Sequence, residues 1–437
     1  MINRRQFVRG AMTAASGALI GRLMPNAASA ADQTNISRGE TESFTAPPDA
    51  GYQSVLTTNG AALPWKIVDG AKVFHLIAEP VTHEFAPGLV ADCWGYNGRV
   101  HGPTIEAVEG DRVRIYVTNK LPEPTTAHWH GLFLPNGMDG VAGVTQRAIQ
   151  PGETFKYEFM LHQHGTFMYH PHHDEMTQMS LGMIGFFIVH PREPKSPVDH
   201  DFAIMLSEWR IDVGARRPDP NEMTEFNVLT FNARCFPGTA PLVVKRNSRV
   251  RIRLGNLGAM DHHPIHLHGH RFHVTETDGG EVPESARWPE TTVLVAAGQT
   301  RTIEFVADAA GDWPLHCHMT HHGMNQMGHR FGNFTGIGTG GLNAKMRKLV
   351  PGYMAMGQDG MGDMGAMGMA VPKNSLPMVG GDGQFGYITM GGMFTLLKVR
   401  DEVPADNADP GWYQNPPGTV SDVAAETDLK NDGIKPA

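Results

Sequence analysis

The sequence predicts an all-β fold of two Greek-key β-sandwich domains, the second a copy of the first. Three observations carry that prediction. Val113, Ile115 and Val117 face one way between Arg114, Tyr116 and Thr118, and Phe155, Tyr157 and Phe159 repeat the pattern; period two marks a half-buried strand. Turn signals such as Glu109-Gly110-Asp111 and Pro151-Gly152-Glu153 separate the runs, with no convincing amphipathic helix among them, as a sandwich requires. The third observation is an internal repeat. Tyr96-Asn97-Gly98-Arg99 is echoed by Phe231-Asn232-Ala233-Arg234, and Asp111-Arg112-Val113-Arg114-Ile115 by Ser248-Arg249-Val250-Arg251-Ile252. His128-Trp129-His130-Gly131 is echoed by His266-Leu267-His268-Gly269, and the run Gly165 to His172 by Gly311 to His318, at offsets that drift only from 135 to 146 residues.

Composition bounds the function. The 437 residues carry 36 Lys+Arg against 45 Asp+Glu, a net charge of −9, so nucleic acid is not a natural partner. The 51 Gly and 31 Pro suit a loop-rich β protein, and the 25 Met and 23 His suit soft and borderline metals. Three cysteines are too few for a disulfide scaffold. If Cys317 binds metal, Cys93 and Cys235 remain as a candidate pair, and whether they bond stays open.

Taken in order, residues 1–30 read as a twin-arginine signal peptide. Arg4-Arg5-Gln6-Phe7-Val8-Arg9 precedes an apolar run, and Ala28-Ser29-Ala30 offers a small-residue cleavage site. Gly17, Gly21 and Arg22 break the apolar run, so it is too poor to span a membrane, and no other stretch resembles a span. The mature chain is expected to start near Ala31, in the periplasm. Residues 31–195 form the first domain and 196–403 the second, joined around Pro191 to Pro197. Gly182 to Val189 closes the first domain soon after its last histidine pair; its counterpart, Gly391 to Val399, follows an insertion of roughly sixty residues, about 328–388, longer than a plain connection. The insertion carries Met354, Met356, Met361, Met364, Met367 and Met369. Residues 404–437 read as a polar, loose tail.

Four clusters carry the chemistry: His128-Trp129-His130; His170-Pro171-His172; His263-Pro264-Ile265-His266-Leu267-His268; and His316-Cys317-His318 with His322 and Met327. One His-x-His pair is a weak signal, since surface pairs occur by accident. Four ordered pairs in duplicated contexts are a strong one. On a strand, Cys317 points to one face and its flanking histidines to the other, so one tripeptide can serve two metal sites. Cys, His and a weak axial Met form the ligand set of a blue-copper electron-transfer site. The first domain has Pro171 against Cys317, Thr125 against His263, Met176 against His322 and Leu181 against Met327. One thiolate site per chain is therefore expected, in the second domain.

These four motifs resemble those of the multicopper oxidase family, across nearly the whole chain outside the signal, insertion and tail. The resemblance implies cupredoxin-like domains and a division of ligands. His263, Cys317 and His322 would bind one type 1 copper, with Met327 axial. His128 and His266 would bind one type 2 copper, and His130, His170, His172, His268, His316 and His318 two type 3 coppers. Electrons would pass from the type 1 site through Cys317 to the three-copper cluster, where oxygen is reduced to water. Asp139 matches a family Asp near the type 2 copper and is expected to relay protons; Gly323 stands where some relatives carry a second acid. Nearby His173, His262, His270, His273, His321 and His329 read as supporting or surface groups.

A two-domain chain with its blue site in the second domain resembles relatives that form homotrimers, with the cluster between subunits, and a head-to-tail ring is expected. The expected partners are oxygen and a small reducing substrate, a phenol or Cu(I); the methionines of the insertion favour Cu(I), which thioethers prefer. Two rival readings are a copper-binding, copper-resistance protein with little turnover and a copper nitrite reductase. The four histidine pairs argue against the first, since a carrier needs no oxygen site. Pro171 argues against the second, whose type 1 site lies in the first domain.

Overall fold

A computed structural model of the chain describes residues 52–194, 197–212, 214–324, 380–404 and 408–435, with Lys345, Lys348 and Leu349. The expected signal peptide, Met327 and the methionines from Met354 to Met369 lie outside the described residues.

Four large sheets pair into two sandwiches. In the first, Trp65–Val68, Ala71–Ala86, Arg112–Asn119 and Thr154–Met160 lie in that order, with Leu89–Tyr96 beside Ala71–Ala86. They face a sheet ordered Ile105–Val108, Gly185–His190, Gly165–His170, His128–His130. Val113, Ile115, Val117, Tyr157 and Phe159 from one sheet interdigitate with Trp129, Phe167, Tyr169 and Phe187 from the other, so the alternation read in the sequence is the alternation of core and surface. The second sandwich sets His200–Trp209, Arg249–Asn256, Thr300–Val306 and Phe272–Thr277 against Leu242–Lys245, Phe394–Arg400, Gly311–Cys317, His263–Leu267 and Thr292–Val295. Leu315 and Cys317 belong to its core.

The repeat is visible in the backbone. Asn97 and Asn232 both sit in the left-handed region, at φ 51° and 50°. Each carboxamide oxygen accepts a backbone N–H from an equivalent strand, Ile77 in the first sandwich and Met205 in the second.

Strand Gly165–His170 is buried on both faces. Phe167 and Tyr169 point into the first core, while Met168 meets Ala203, Met205 and Leu257 of the second sandwich. At the same face Arg253, almost wholly buried, donates to Asp201 through Nε and Nη2 and to Thr166 Oγ1 through Nη1. Cys93 and Cys235 are not joined by a disulfide, and both are buried within one apolar cluster shared by the two sandwiches. Among the described residues of the expected loose tail, Asp409 and Gly411 accept from Lys398 and Gly411 also from Arg400, so this stretch is tied to the last strand of the second sandwich.

Candidate metal centres

Strand geometry splits the His-Cys-His tripeptide as alternation demands. Cys317 lies across from Ile265 on the core face, and His316 lies across from His266 on the outer face. Cys317 Sγ is 3.7 Å from His263 Nδ1 and 3.5 Å from His322 Nδ1, and the two nitrogens are 3.1 Å apart. All three side chains are buried. A thiol and two imidazole nitrogens converging at such spacing form a cage for one metal ion, and soft sulfur with imidazole suits copper. Burial pushes the Cys317 thiol up to about 12, so a metal must displace its proton to make the thiolate.

Each caging histidine turns its far nitrogen to a carboxylate. His263 Nε2 lies 3.4 Å from Glu208 Oε2, both side chains fully enclosed, and His322 Nε2 lies 3.7 Å from Asp261 Oδ2. Burial and the neighbouring Glu208 raise the Asp261 carboxyl above its ordinary range. Gly323, which follows His322, leaves space that the Met390 methyl fills.

The remaining eight predicted histidines fall into two sets of four. In the first sandwich His128 lies across from His170, and its ring sits 5.8, 5.2 and 5.5 Å from those of His130, His170 and His172. In the second, the His266 ring sits 4.7, 5.6 and 5.3 Å from those of His268, His316 and His318. The closest nitrogens are His130 Nδ1 and His170 Nε2 at 3.3 Å, and His268 Nε2 and His316 Nε2 at 3.1 Å. Among the described residues no ring contact joins a member of one set to a member of the other.

Backbone carbonyls fix the tautomers, and the repeat extends to these partners. His128 Nδ1 donates to the Asp139 carbonyl and His266 Nδ1 to that of Thr291; His170 Nδ1 donates to the Pro171 carbonyl and His316 Nδ1 to that of Cys317. Each bond leaves Nε2 with its lone pair facing the set. Burial holds His170 down to about 3 and His316 to about 4, and lowers His130 and His268, so these rings are neutral and ready to ligate near neutrality. Asp139 Oδ1 lies 3.4 Å from His128 Nδ1. Gly140, at φ +84°, allows that approach, because a Cβ there would run into the Ala127 carbonyl.

The first sandwich closes the place its missing thiolate site would occupy. Thr125 Oγ1 donates to Gln178 Oε1 at 2.6 Å, and Gln178 Nε2 donates to the Pro124 carbonyl. Sequence reasoning had singled out neither Gln178, Glu208 nor Asp261. One signal for Glu208 existed: an acid near the end of the buried strand His200–Trp209, which also carries Asp201. His270, expected to support rather than bind, hydrogen-bonds the His268 carbonyl and packs on Trp313.

Two family models, both described as multicopper oxidase, match residues 78–194 and 212–335, together more than half of the chain. Laccase-1 of Cryptococcus neoformans var. grubii is 29% identical over 275 residues, covering 54% of this chain and 44% of that protein. L-ascorbate oxidase of Brassica rapa subsp. pekinensis is 32% identical over 250 residues, covering 48% and 43%. Copper resistance protein A of Escherichia coli is 40% identical over 114 residues, covering 26% and 18%. The matched region thus spans less than half the length of these curated relatives. Among solved structures, the blue copper oxidase of Nitrosomonas europaea matches with TM-score 0.56 and 27% identity, over 75% of this chain and 85% of that one. The multicopper oxidase mgLAC matches with TM-score 0.56 and 29% identity, over 77% and 88%.

Proposed function

The chain belongs to the multicopper oxidase family, and on that premise we propose that it oxidises a small reducing substrate, a phenol or Cu(I), one electron at a time and reduces oxygen to water. The observation that carries the reading is the coexistence of a buried cysteine-histidine cage with eight further histidines whose free nitrogens face one another. A copper carrier needs the first and not the second. Copper, when bound, supplies one-electron transfer at the thiolate cage and oxygen reduction at a three-metal cluster.

The chain's own residues do the rest. His263, Cys317 and His322 would hold the type 1 ion, with Met327 as a further ligand. His128 and His266 would hold the type 2 ion, and His130, His170, His172, His268, His316 and His318 would hold the type 3 pair. The peptide bonds from Cys317 to His316 and His318 are the covalent path between the centres. Asp139 passes a proton toward the oxygen site through His128 or water beside it, a role supported by the 3.4 Å between its Oδ1 and His128 Nδ1. The partly exposed Asp261, which lies beside the buried His322, marks the side where a donor approaches.

The two histidine sets support an assembly of three chains. Each set is half of a cluster, and a head-to-tail ring brings the first set of one chain against the second set of the next. Export to the periplasm by the twin-arginine leader, a first domain over 31–195 and a second over 196–403 complete the reading. No helix among the described residues is long and apolar enough to cross a membrane. The test is oxygen uptake by the copper-loaded protein with Cu(I), a phenol and Mn(II) compared side by side. Uptake with Cu(I) or the phenol is expected; no uptake with any donor would overturn the proposal.

A further inference from the structure

We propose that Glu208 is a positioning residue for the thiolate centre: it fixes His263 as an Nδ1 donor and lowers the reduction potential of the copper held there. The inference rests on the reading of His263, Cys317 and His322 as that centre.

Glu208 sits next to last in strand His200–Trp209, seven residues beyond the strand's other acid, Asp201, whose partners are Arg251 and Arg253. Its side chain has no solvent exposure, and neither has His263. Oε1 accepts the N–H of Met260 at 2.6 Å and of Asp261 at 3.0 Å. Oε2 points at His263 Nε2. Gly258 makes room, because a Cβ there would collide with the carboxylate.

A purely structural role accounts for only half of this arrangement. Capping the Met260 and Asp261 amides needs one oxygen, which a glutamine supplies without the penalty of a buried charge. The second oxygen and the charge are spent on the imidazole. An Nε2–H donated to Glu208 leaves Nδ1 as the lone-pair nitrogen, and Nδ1 is the atom that faces Cys317 Sγ. A fixed negative charge one imidazole away from the metal stabilises Cu(II) relative to Cu(I), so the potential falls.

The internal repeat supplies an independent argument. Ile77 and Met205 are equivalent through their bonds to Asn97 and Asn232. Three residues further along each strand stand Pro80 and Glu208. The sandwich that has Thr125 in place of His263 also lacks the carboxylate, so acid and histidine occur together or not at all. The His322 side differs, because Asp261 is partly exposed while Glu208 is sealed. Glu208 therefore tunes the centre without meeting the donor.

Glu208→Gln is nearly isosteric and keeps an acceptor for both amides. In a redox titration of the blue band we expect its reduction equilibrium constant to rise at least tenfold, about 59 mV for one electron. An unchanged potential in a variant that is still blue would overturn the proposal. If the glutamine variant fails to fold, Glu208→Asp keeps the charge but withdraws it from His263; a smaller rise is expected, and none would overturn the proposal. Nitrogen NMR of the copper-free protein adds a readout without metal: His263 is expected as the Nε2–H tautomer in the wild type. A wild-type protein that binds copper without turning blue would instead overturn the thiolate-centre reading, and Glu208's role with it.

Discussion

Arg253 Nη1 donates to Thr166 Oγ1 across 2.7 Å, so a side chain rooted in the second sandwich grips the strand that ends in His170. The guanidinium is buried and its main partner, Asp201, nearly so. Arg253→Ala strands that carboxylate, which costs about 3–5 kcal/mol when a buried pair is broken. The loss is expected near the lower end, because Arg251 also reaches Asp201. Urea unfolding of the copper-free protein measures it, and a change under roughly 1 kcal/mol would show that the clamp contributes little.

Cys317→Ser removes the one soft donor of the buried cage. The variant is expected to lose the blue absorption and turnover with external donors while its eight other histidines still take up copper. Copper analysis together with visible and paramagnetic spectra decides the matter. A serine variant that stays blue would refute the assignment.

Asp139→Asn keeps the backbone carbonyl that orients His128 but removes the carboxylate beside it. Oxygen reduction is expected to slow by about 10–100-fold, the usual cost of losing such an outer partner, with the blue absorption unchanged. Reoxidation followed by stopped flow separates this from slower electron entry.

His101 is buried against Trp209, bonded to Ser207 Oγ, and held by burial down to about 3. The unfolded chain then binds a proton below about pH 6.5 that the folded chain refuses. The sign is fixed: this contribution to stability is complete above that pH and is lost as pH falls toward the folded value. The slope is about 1.4 kcal/mol per pH unit for one such proton. His101→Asn is expected to flatten stability against pH between about 5 and 6.5, above the range where carboxylates titrate. An unaltered slope would mean His101 titrates normally.

A ring of three chains predicts complementation. His170→Ala damages the first set and His316→Ala the second, and each variant alone is expected to be inactive. Refolded together, they form some interfaces with both sets intact, and turnover should return in part. Mixing that restores nothing, with a mass of three chains by light scattering, would place the complete site within one chain.

Much of this was legible because strands announce their faces. His128 and His130 flank the core residue Trp129, as His266 and His268 flank Leu267, so period two and the repeat together identify the pairs. Pairing across long sequence distance was not legible. Glu208 and His263 stand 55 residues apart and meet only because their sheets pack face to face. Nor does the motif order say that the eight histidines divide into two separate sets, which depends on how the sandwiches dock through Met168, Met205 and Leu257. Tail residues Asp409 and Gly411 look loose in the sequence because their partners, Lys398 and Arg400, look there like ordinary surface charges.

The strand that returns after the insertion begins beside the thiolate cage. Gly391 N–H and Gly392 N–H donate to the Gly323 carbonyl, Met393 N–H to that of His322, and Cys317 N–H to that of Met393. The two ends of the intervening stretch are thus stapled together next to the metal-binding residues. Once a loop's ends are pinned, its length matters only through closure entropy, and doubling it costs about 0.6 kcal/mol. This site is therefore a natural splice point: beyond Met327, segments can lengthen, shorten or be exchanged before the returning strand during evolution or engineering, while the His263, Cys317 and His322 cage keeps its geometry.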